Sequence, residues 1–195
     1  MAQLQMETYY YTPEEYLALE DKAAYKSEYI NGEIFAMAGG TLPHHKIAGN
    51  VLTHFNNEFR TKDCEVYNSD LKILVKPNGA FLYPDVTVLC GEPQFYKDRN
   101  DIIANPILIV EVSSPSTQNY DRNKKFELYR DIATLQDYLI IDQSRVYVEH
   151  YHKLEDNRWV LTIYYHMESV IDLPSVDITL PLSEIYHKVK FPNAE

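Results

Sequence analysis

Two carboxylates set into apolar runs carry the chemistry of this chain. Asp85 lies in Tyr83-Pro84-Asp85-Val86-Thr87-Val88, and Glu111 lies in Ile107-Leu108-Ile109-Val110-Glu111-Val112. A buried acid is costly unless it is paired with a cation, bound to a metal or partly wet. Two such acids on neighbouring strands repel each other, and a divalent hard cation, which prefers oxygen ligands, relieves both. An ion held there would polarise a phosphate and lower the pKa of a bound water, which is the chemistry of phosphodiester hydrolysis. Lys125 follows on a helical stretch, sharing one face with Asp121 and Tyr129. It could orient that water or offset charge developing on the phosphate. Plainer roles exist for each residue. Asp85 could cap a turn after proline, and Glu111 could be half of a buried salt bridge with Lys125 or Arg122. Lys125 could be an exposed partner of Asp121, worth only ~0.3–0.5 kcal/mol, with Lys124 competing for the role.

The elements that must position these groups are readable from pattern. Residues 107–112 are apolar on both faces, as in a central strand covered on both sides. Ser113, Ser114, Pro115, Ser116 and Thr117 end the strand, and a helix over 120–131 and an apolar strand over 138–141 follow. Upstream, Thr12-Pro13-Glu14-Glu15 opens a helix over 13–21. Asn31-Gly32 turns a hairpin over 29–34. Residues 43–61 form a helix with Ile47, Val51, Leu52, Phe55 and Phe59 on its apolar face. A second hairpin, 71–76 and 81–89, turns at Asn78-Gly79, which sets Lys72 opposite Asp85 and Asp70 opposite Thr87. Residues 91–105 form a charged loop joining the two acidic strands. Short strands at 146–151, 159–165, 170–173 and 177–180, then a helical turn at 183–188, complete an α/β fold. Its central sheet is mixed, flanked by helices, with extra C-terminal strands.

Four further residues are candidates for supporting the site. The Val112 carbonyl projects beside Glu111 and could complete a metal shell. Ser113 shares the face of Glu111 by strand alternation and could bond a metal-bound water. Glu28, before the first hairpin, could add a third carboxylate or be a surface acid. Lys72 could face Asp85 or be a solvated strand lysine. His44 and His45 open a helix and point to different faces, which suits capping or a solvated loop better than joint metal binding.

With 195 residues and 45% hydrophobic content, the chain fits one domain over 1–195, with 1–11 as a loosely ordered tail. No run approaches the ~20 apolar residues of a membrane span, and no secretory signal is evident. Cys64 and Cys90 stand apart without metal-ligand spacing, as reduced core residues of a cytoplasmic protein. A net charge of −11 argues against a nucleic-acid partner, since phosphate binding usually needs a basic footprint. The 17 tyrosines suggest an interface, and hence a homodimer.

The Asp85 and Glu111 stretches resemble the Pro-Asp … Asp/Glu-X-Lys signature of the restriction-endonuclease-like nucleases. More closely, the chain resembles the family of restriction endonucleases called Uma-two. The matching stretches are EYINGEI, HHKIAGN, YPDVTVLCGEPQF, NPILIVEVSSPST and DRNKKFELYR, spanning most of residues 12 to 142. The resemblance implies a restriction-endonuclease-like fold, with Asp85 and Glu111 holding Mg²⁺ or Mn²⁺ and DNA as the substrate. Ser113 stands where the superfamily pattern has its lysine, and the resemblance assigns that role to Lys125. Two rival readings accompany it. One is a catalytically silent interaction module on a nuclease scaffold, and the other is a metal-dependent phosphodiesterase acting on a small molecule, which suits the acidity better.

Overall fold

The computed structural model of the chain describes residues 9–75, 79–114 and 117–191. Helix α1 (Pro13–Glu20) begins with a reciprocal cap: the Thr12 hydroxyl accepts the Glu15 N–H, and the Glu15 carboxylate accepts the Thr12 N–H. Strands β1 (Ser27–Ile30) and β2 (Glu33–Ala36) follow, turning through Asn31 at φ 51° and Gly32 at φ 94°. Tyr11 donates its N–H to the Gly32 carbonyl at 2.8 Å, which ties the chain just before α1 to this hairpin. The rest of the expected tail, residues 1–8, lies outside the described residues. Helix α2 (Leu42–Glu58) buries Ile47, Val51 and Phe55, the apolar face its spacing predicts.

Two sheets make up the body. Strands β3 (Cys64–Asn68), β6 (Val86–Cys90), β8 (Leu108–Ser113), β9 (Asp137–Asp142), β10 (Val148–Lys153) and β11 (Trp159–Tyr164) form one sheet, ordered β11-β10-β9-β8-β6-β3. A second sheet joins β1 and β2 to β4 (Lys72–Val75), β5 (Ala80–Leu82) and the short β7 (Ile102–Ile103). The β8–β9 pair is parallel and its crossover carries a helix over 120–129, α3, whereas β6–β8 is antiparallel. Alternation along β8 sends Val110 and Val112 into a core with α2, and Ile109 and Glu111 towards α3. Leu128 and Tyr129 of α3 are buried there against Ile109, Tyr138 and Ile140. Burial of such side chains is worth about 1.5–3 kcal/mol each, enough to hold the helix on the sheet. Strands β12 (Val170–Leu173) and β13 (Ile178–Pro181) with α4 (Leu182–Ile185) cover the opposite face. Among the described residues no helix is long and apolar enough to cross a membrane.

Four expectations are corrected. Residues 81–89 are not one strand: Tyr83-Pro84-Asp85 breaks the chain between β5 and β6, which lie in different sheets. Pro84 has no N–H for a ladder, which favours the break there. The β4–β5 register is also shifted, with Ile73 facing Leu82 rather than Pro84, so Lys72 is not opposite Asp85. Thr87 pairs with Tyr67 instead of Asp70. Of the Asn78-Gly79 turn, Asn78 lies outside the described residues, and Gly79 takes φ 60°. The helix expected over 120–131 is π-helical over Tyr120–Lys125 and α-helical only over Phe126–Tyr129. Lastly, Cys64 and Cys90 are not free thiols. They sit directly opposite each other on β3 and β6 and are joined in a disulfide, since the register brings them together.

Candidate active site

Asp85 stands one residue before β6, and the β6–β8 register pairs Val86 with Val110. One further rung sets Asp85 against Glu111, which an antiparallel pair brings within side-chain reach. Both acids line one cleft of about 670 Å³, with Glu28, Val112, Asp121 and Lys125 also on its wall. The structure thus brings together six of the eight residues that the sequence nominates. Asp85 Oδ2 accepts the Val112 N–H at 2.7 Å, which ties the acid to the end of β8.

Glu111 is buried, and its Oε1 accepts from Lys125 Nζ at 2.9 Å and from the Tyr129 hydroxyl at 2.7 Å. Lys125 Nζ also lies 3.2 Å from Glu28 and 4.0 Å from Asp121. Its neighbour Lys124 is exposed. The wider turn of α3 carries Asp121, Lys125 and Tyr129 inward together, and such π segments often occur at functional sites. Three carboxylates therefore surround Lys125, with Asp85 a fourth acid on the same cleft wall, and one ammonium does not balance them.

The titration behaviour follows from this imbalance. Burial pushes Glu111 up to about 8; Lys125 opposes the shift, and the charges of Asp85, Asp121 and Glu28 add to it. Burial alone would lower Lys125, but Glu111, Glu28 and Asp121 hold it well above its usual value. Both directions are compatible, because the surplus of acids leaves a proton for Glu111 while Lys125 keeps its own. Burial likewise raises Asp121, against the attraction of Lys125.

His44 completes the arrangement, and the sequence reading had assigned it to a cap or a solvated loop. Its Nε2 is 3.0 Å from Asp85 Oδ1 and its Nδ1 is 3.1 Å from the Val112 carbonyl. Both partners are acceptors, so the doubly protonated ring satisfies both contacts. Burial works against that charge, but the Asp85 hydrogen bond and carboxylate, with the Val112 carbonyl, raise His44 above its ordinary value. The His44 ring thus sits between two of the oxygens nominated for a cation. Thr41, the N-cap of α2, aims this first turn at the end of β8: its hydroxyl accepts the His44 N–H and bonds the Gln143 side chain. Two tyrosines have roles the sequence reading missed: Tyr120 lines the cleft with its ring centre 5.8 Å from Lys125 Nζ, and Tyr129 holds Glu111 from the buried side. For His44 the only sequence signal was its place in HHKIAGN, one of the stretches shared with the family.

Two nominated residues lie elsewhere. Lys72 is buried with its Nζ 3.5 Å from Asp101 and 5.2 Å from the centre of the Tyr83 ring. It is neither solvated nor among the residues lining the cleft. Ser113 is fully buried beyond Glu111, and its hydroxyl has no hydrogen-bond partner among the described residues.

A second group of ligand-type side chains occurs outside the cleft. Asp137, His150 and His152 each offer an atom within 4.8 Å of the others and could coordinate a divalent metal.

The chain was compared with known proteins. A protein from Synechocystis sp., described as uncharacterized, is 39% identical over 180 residues, covering 92% of this chain and 93% of its own. A second from the same organism, described likewise, is 40% identical over 151 residues, covering 77% of this chain and 85% of its own. A solved structure from Anabaena variabilis, titled a "putative nuclease belonging to DUF820", superposes with a TM-score of 0.75 at 17% identity. That match covers 90% of this chain and 97% of the other, and it establishes a shared α/β fold. The family Uma2, described as "Putative restriction endonuclease", matches residues 13–183. The motif resemblance, the shared fold and this match over most of the chain agree: the protein belongs to the Uma2 family.

Proposed function

We propose that the protein is a metal-dependent endonuclease that hydrolyses phosphodiester bonds of DNA. The observation that carries this reading is the cleft that Asp85 and Glu111 line together beside a buried Lys125. The donor set fits a hard divalent cation: Asp85, Glu111 and the Val112 carbonyl all offer oxygen. The ring of His44, lodged between Asp85 and that carbonyl, supports the fit, because two oxygen acceptors there converge on one donor-bearing group. Bound Mg²⁺ or Mn²⁺ would supply Lewis acidity towards the scissile phosphate and an acidified water.

The remaining work falls to side chains. Lys125 lies against Glu111 and offers a fixed positive charge where negative charge develops on the phosphate. Tyr129 fixes the Glu111 carboxylate through its hydroxyl, leaving Oε2 available. Glu28 and Asp121 keep Lys125 protonated. With a cation bound, His44 would have to leave Asp85; its exposed neighbour His45 also lines the cleft.

The acidity of the chain favours a second reading, in which the same groups hydrolyse a small phosphodiester rather than a duplex. The open cleft argues against a silent interaction module. Cutting both strands of DNA would suit a pair of sites, and we propose a homodimer through β11. This strand is an edge of the six-stranded sheet and exposes Val160, Leu161 and Ile163, with Tyr165 just beyond it.

Incubating supercoiled plasmid or bis(p-nitrophenyl) phosphate with the protein in Mg²⁺ or in EDTA tests the assignment. Metal-dependent nicking lost in Asp85→Asn supports the endonuclease. Cleavage of the small diester without nicking supports the second reading, and inertness towards both overturns the hydrolase.

A further inference from the structure

The crossing of β9 and β10 holds a constellation that the cleft does not use. Asp137, at the start of β9, is fully buried, and on β10 His152 lies directly opposite it with His150 two residues along on the same face. Asp137 Oδ1 is 2.6 Å from His150 Nε2 and 2.8 Å from His152 Nδ1. The other oxygen, Oδ2, accepts from the Ser175 hydroxyl in the β12–β13 turn. A fully buried carboxylate demands a compensating positive charge. Among the described residues its ion-pair partners are these two imidazoles alone, with no lysine or arginine. The cluster is also remote from the cleft. Asp137 pairs with Leu108, three rungs from the Glu111–Ile140 rung, and faces the α2 side of the sheet whereas Glu111 faces α3.

We propose that Asp137, His150 and His152 form a second metal site, selective for a zinc-type transition ion, which ties β9, β10 and the β12–β13 turn together. Two imidazole nitrogens and one carboxylate oxygen are a donor set for Zn²⁺ or Co²⁺, unlike the all-oxygen set of the cleft. A tetrahedral ion with bonds of ~2.0–2.2 Å keeps its ligand atoms roughly 3.3–3.6 Å apart. The two pairs at 2.6 and 2.8 Å need open by less than about 1 Å to admit it, within the freedom of χ rotation. On binding, His150 gives up any proton on Nε2 and His152 any proton on Nδ1, and the ion supplies the charge that Asp137 requires. Ser175 then acts as the outer partner that fixes the carboxylate. The side chain of His152 is 29% exposed, which leaves an entry path and room for a water as fourth ligand.

The test uses full-length protein stripped with EDTA and then titrated with Zn²⁺ followed by thermal unfolding, or with Co²⁺ followed by visible absorption. The variants are His152→Ala, at the most exposed ligand, and Asp85→Asn, in the cleft. The expected result is a rise in Tm with Zn²⁺, and tetrahedral Co²⁺ bands, in the unaltered protein and in Asp85→Asn alike. In His152→Ala the affinity should fall by at least about tenfold, the scale on which even loss of an outer partner is felt. Should His152→Ala fail to fold, His152→Asn, smaller in its change of polarity, takes its place in the same titration. The proposal is overturned if the unaltered protein shows neither signal, or if both persist undiminished in the His152 variant. It is equally overturned if Asp85→Asn removes them, which would assign the ion to the cleft. Plasmid nicking in Mg²⁺ is read separately, so failure of this site and failure of the nuclease assignment are distinguishable.

Discussion

Glu111→Gln separates a metal ligand from half of a structural salt bridge. In the metal-free protein Glu111 is pushed up to about 8 from 4.5, by burial first and by the charges of Asp85, Asp121 and Glu28, with Lys125 opposing. Its folded pKa therefore lies above its unfolded one. Its contribution to stability is fully present below about 4.5 and is lost as pH rises through about 8. Glutamine mimics the protonated acid, and its carbonyl oxygen can still accept from Lys125 and Tyr129. Lys125 is not stranded, since Glu28 at 3.2 Å and Asp121 at 4.0 Å remain. At about 1.36 kcal/mol per pH unit, the variant should match the unaltered protein only below about pH 4, exceed it by roughly 1 kcal/mol at pH 5 and by up to roughly 3 kcal/mol at pH 7. The gap should level off above about pH 8. Urea unfolding in EDTA at pH 5, 7 and 9 measures this directly. The rise in Tm on adding Mg²⁺ should vanish in the variant, because that stabilisation depends on binding to the native state. A loss of roughly 3–5 kcal/mol, in EDTA as in Mg²⁺, would show that Glu111 serves the fold as a salt-bridge partner. The reasoning would then fail at its central residue.

Lys125→Ala should abolish nicking and cost roughly 3–5 kcal/mol, since it leaves buried acids without their cation. The exposed Lys124→Ala should change stability by less than about 0.5 kcal/mol and keep activity, and the reverse pattern in nicking would identify the wrong lysine. The Cys64–Cys90 bridge spans a sequence separation of 26, so reduction should lower stability by about 3–4 kcal/mol on the chain-entropy account. Identical urea curves with and without reductant would instead mean free thiols. Sedimentation at micromolar concentration should show a dimer, and Leu161→Lys on the β11 edge should dissociate it; a monomer in both would remove the proposed interface.

What was legible in the sequence was local. The α1 cap depends on four consecutive residues and the β1–β2 turn on Asn31-Gly32, and both stand as their patterns suggest. The β8 run was visible because a strand buried on both faces is apolar throughout, so Glu111 stood out as its exception. What escaped was set by distant partners. Pro84 marks a break within the apolar 81–89 run, but only the packing of two sheets reveals that the chain changes sheet there. The same lack of long-range information hid the facing of Cys64 and Cys90, and the Thr41 cap that points His44 at Val112, 68 residues away. The group at Asp137 was invisible for a related reason. His150 and His152 share a face by alternation, but their partner is specified by the β9–β10 register.

The central claim is that the Asp85–Glu111 cleft holds a divalent cation. Anomalous scattering from crystals soaked in Mn²⁺ tests it most directly. The account predicts a peak at bonding distance from carboxylate oxygens of both Asp85 and Glu111, beside the Val112 carbonyl, with His44 displaced from Asp85. A cleft without such a peak, His44 still bridging Asp85 and Val112 at saturating Mn²⁺, would contradict it.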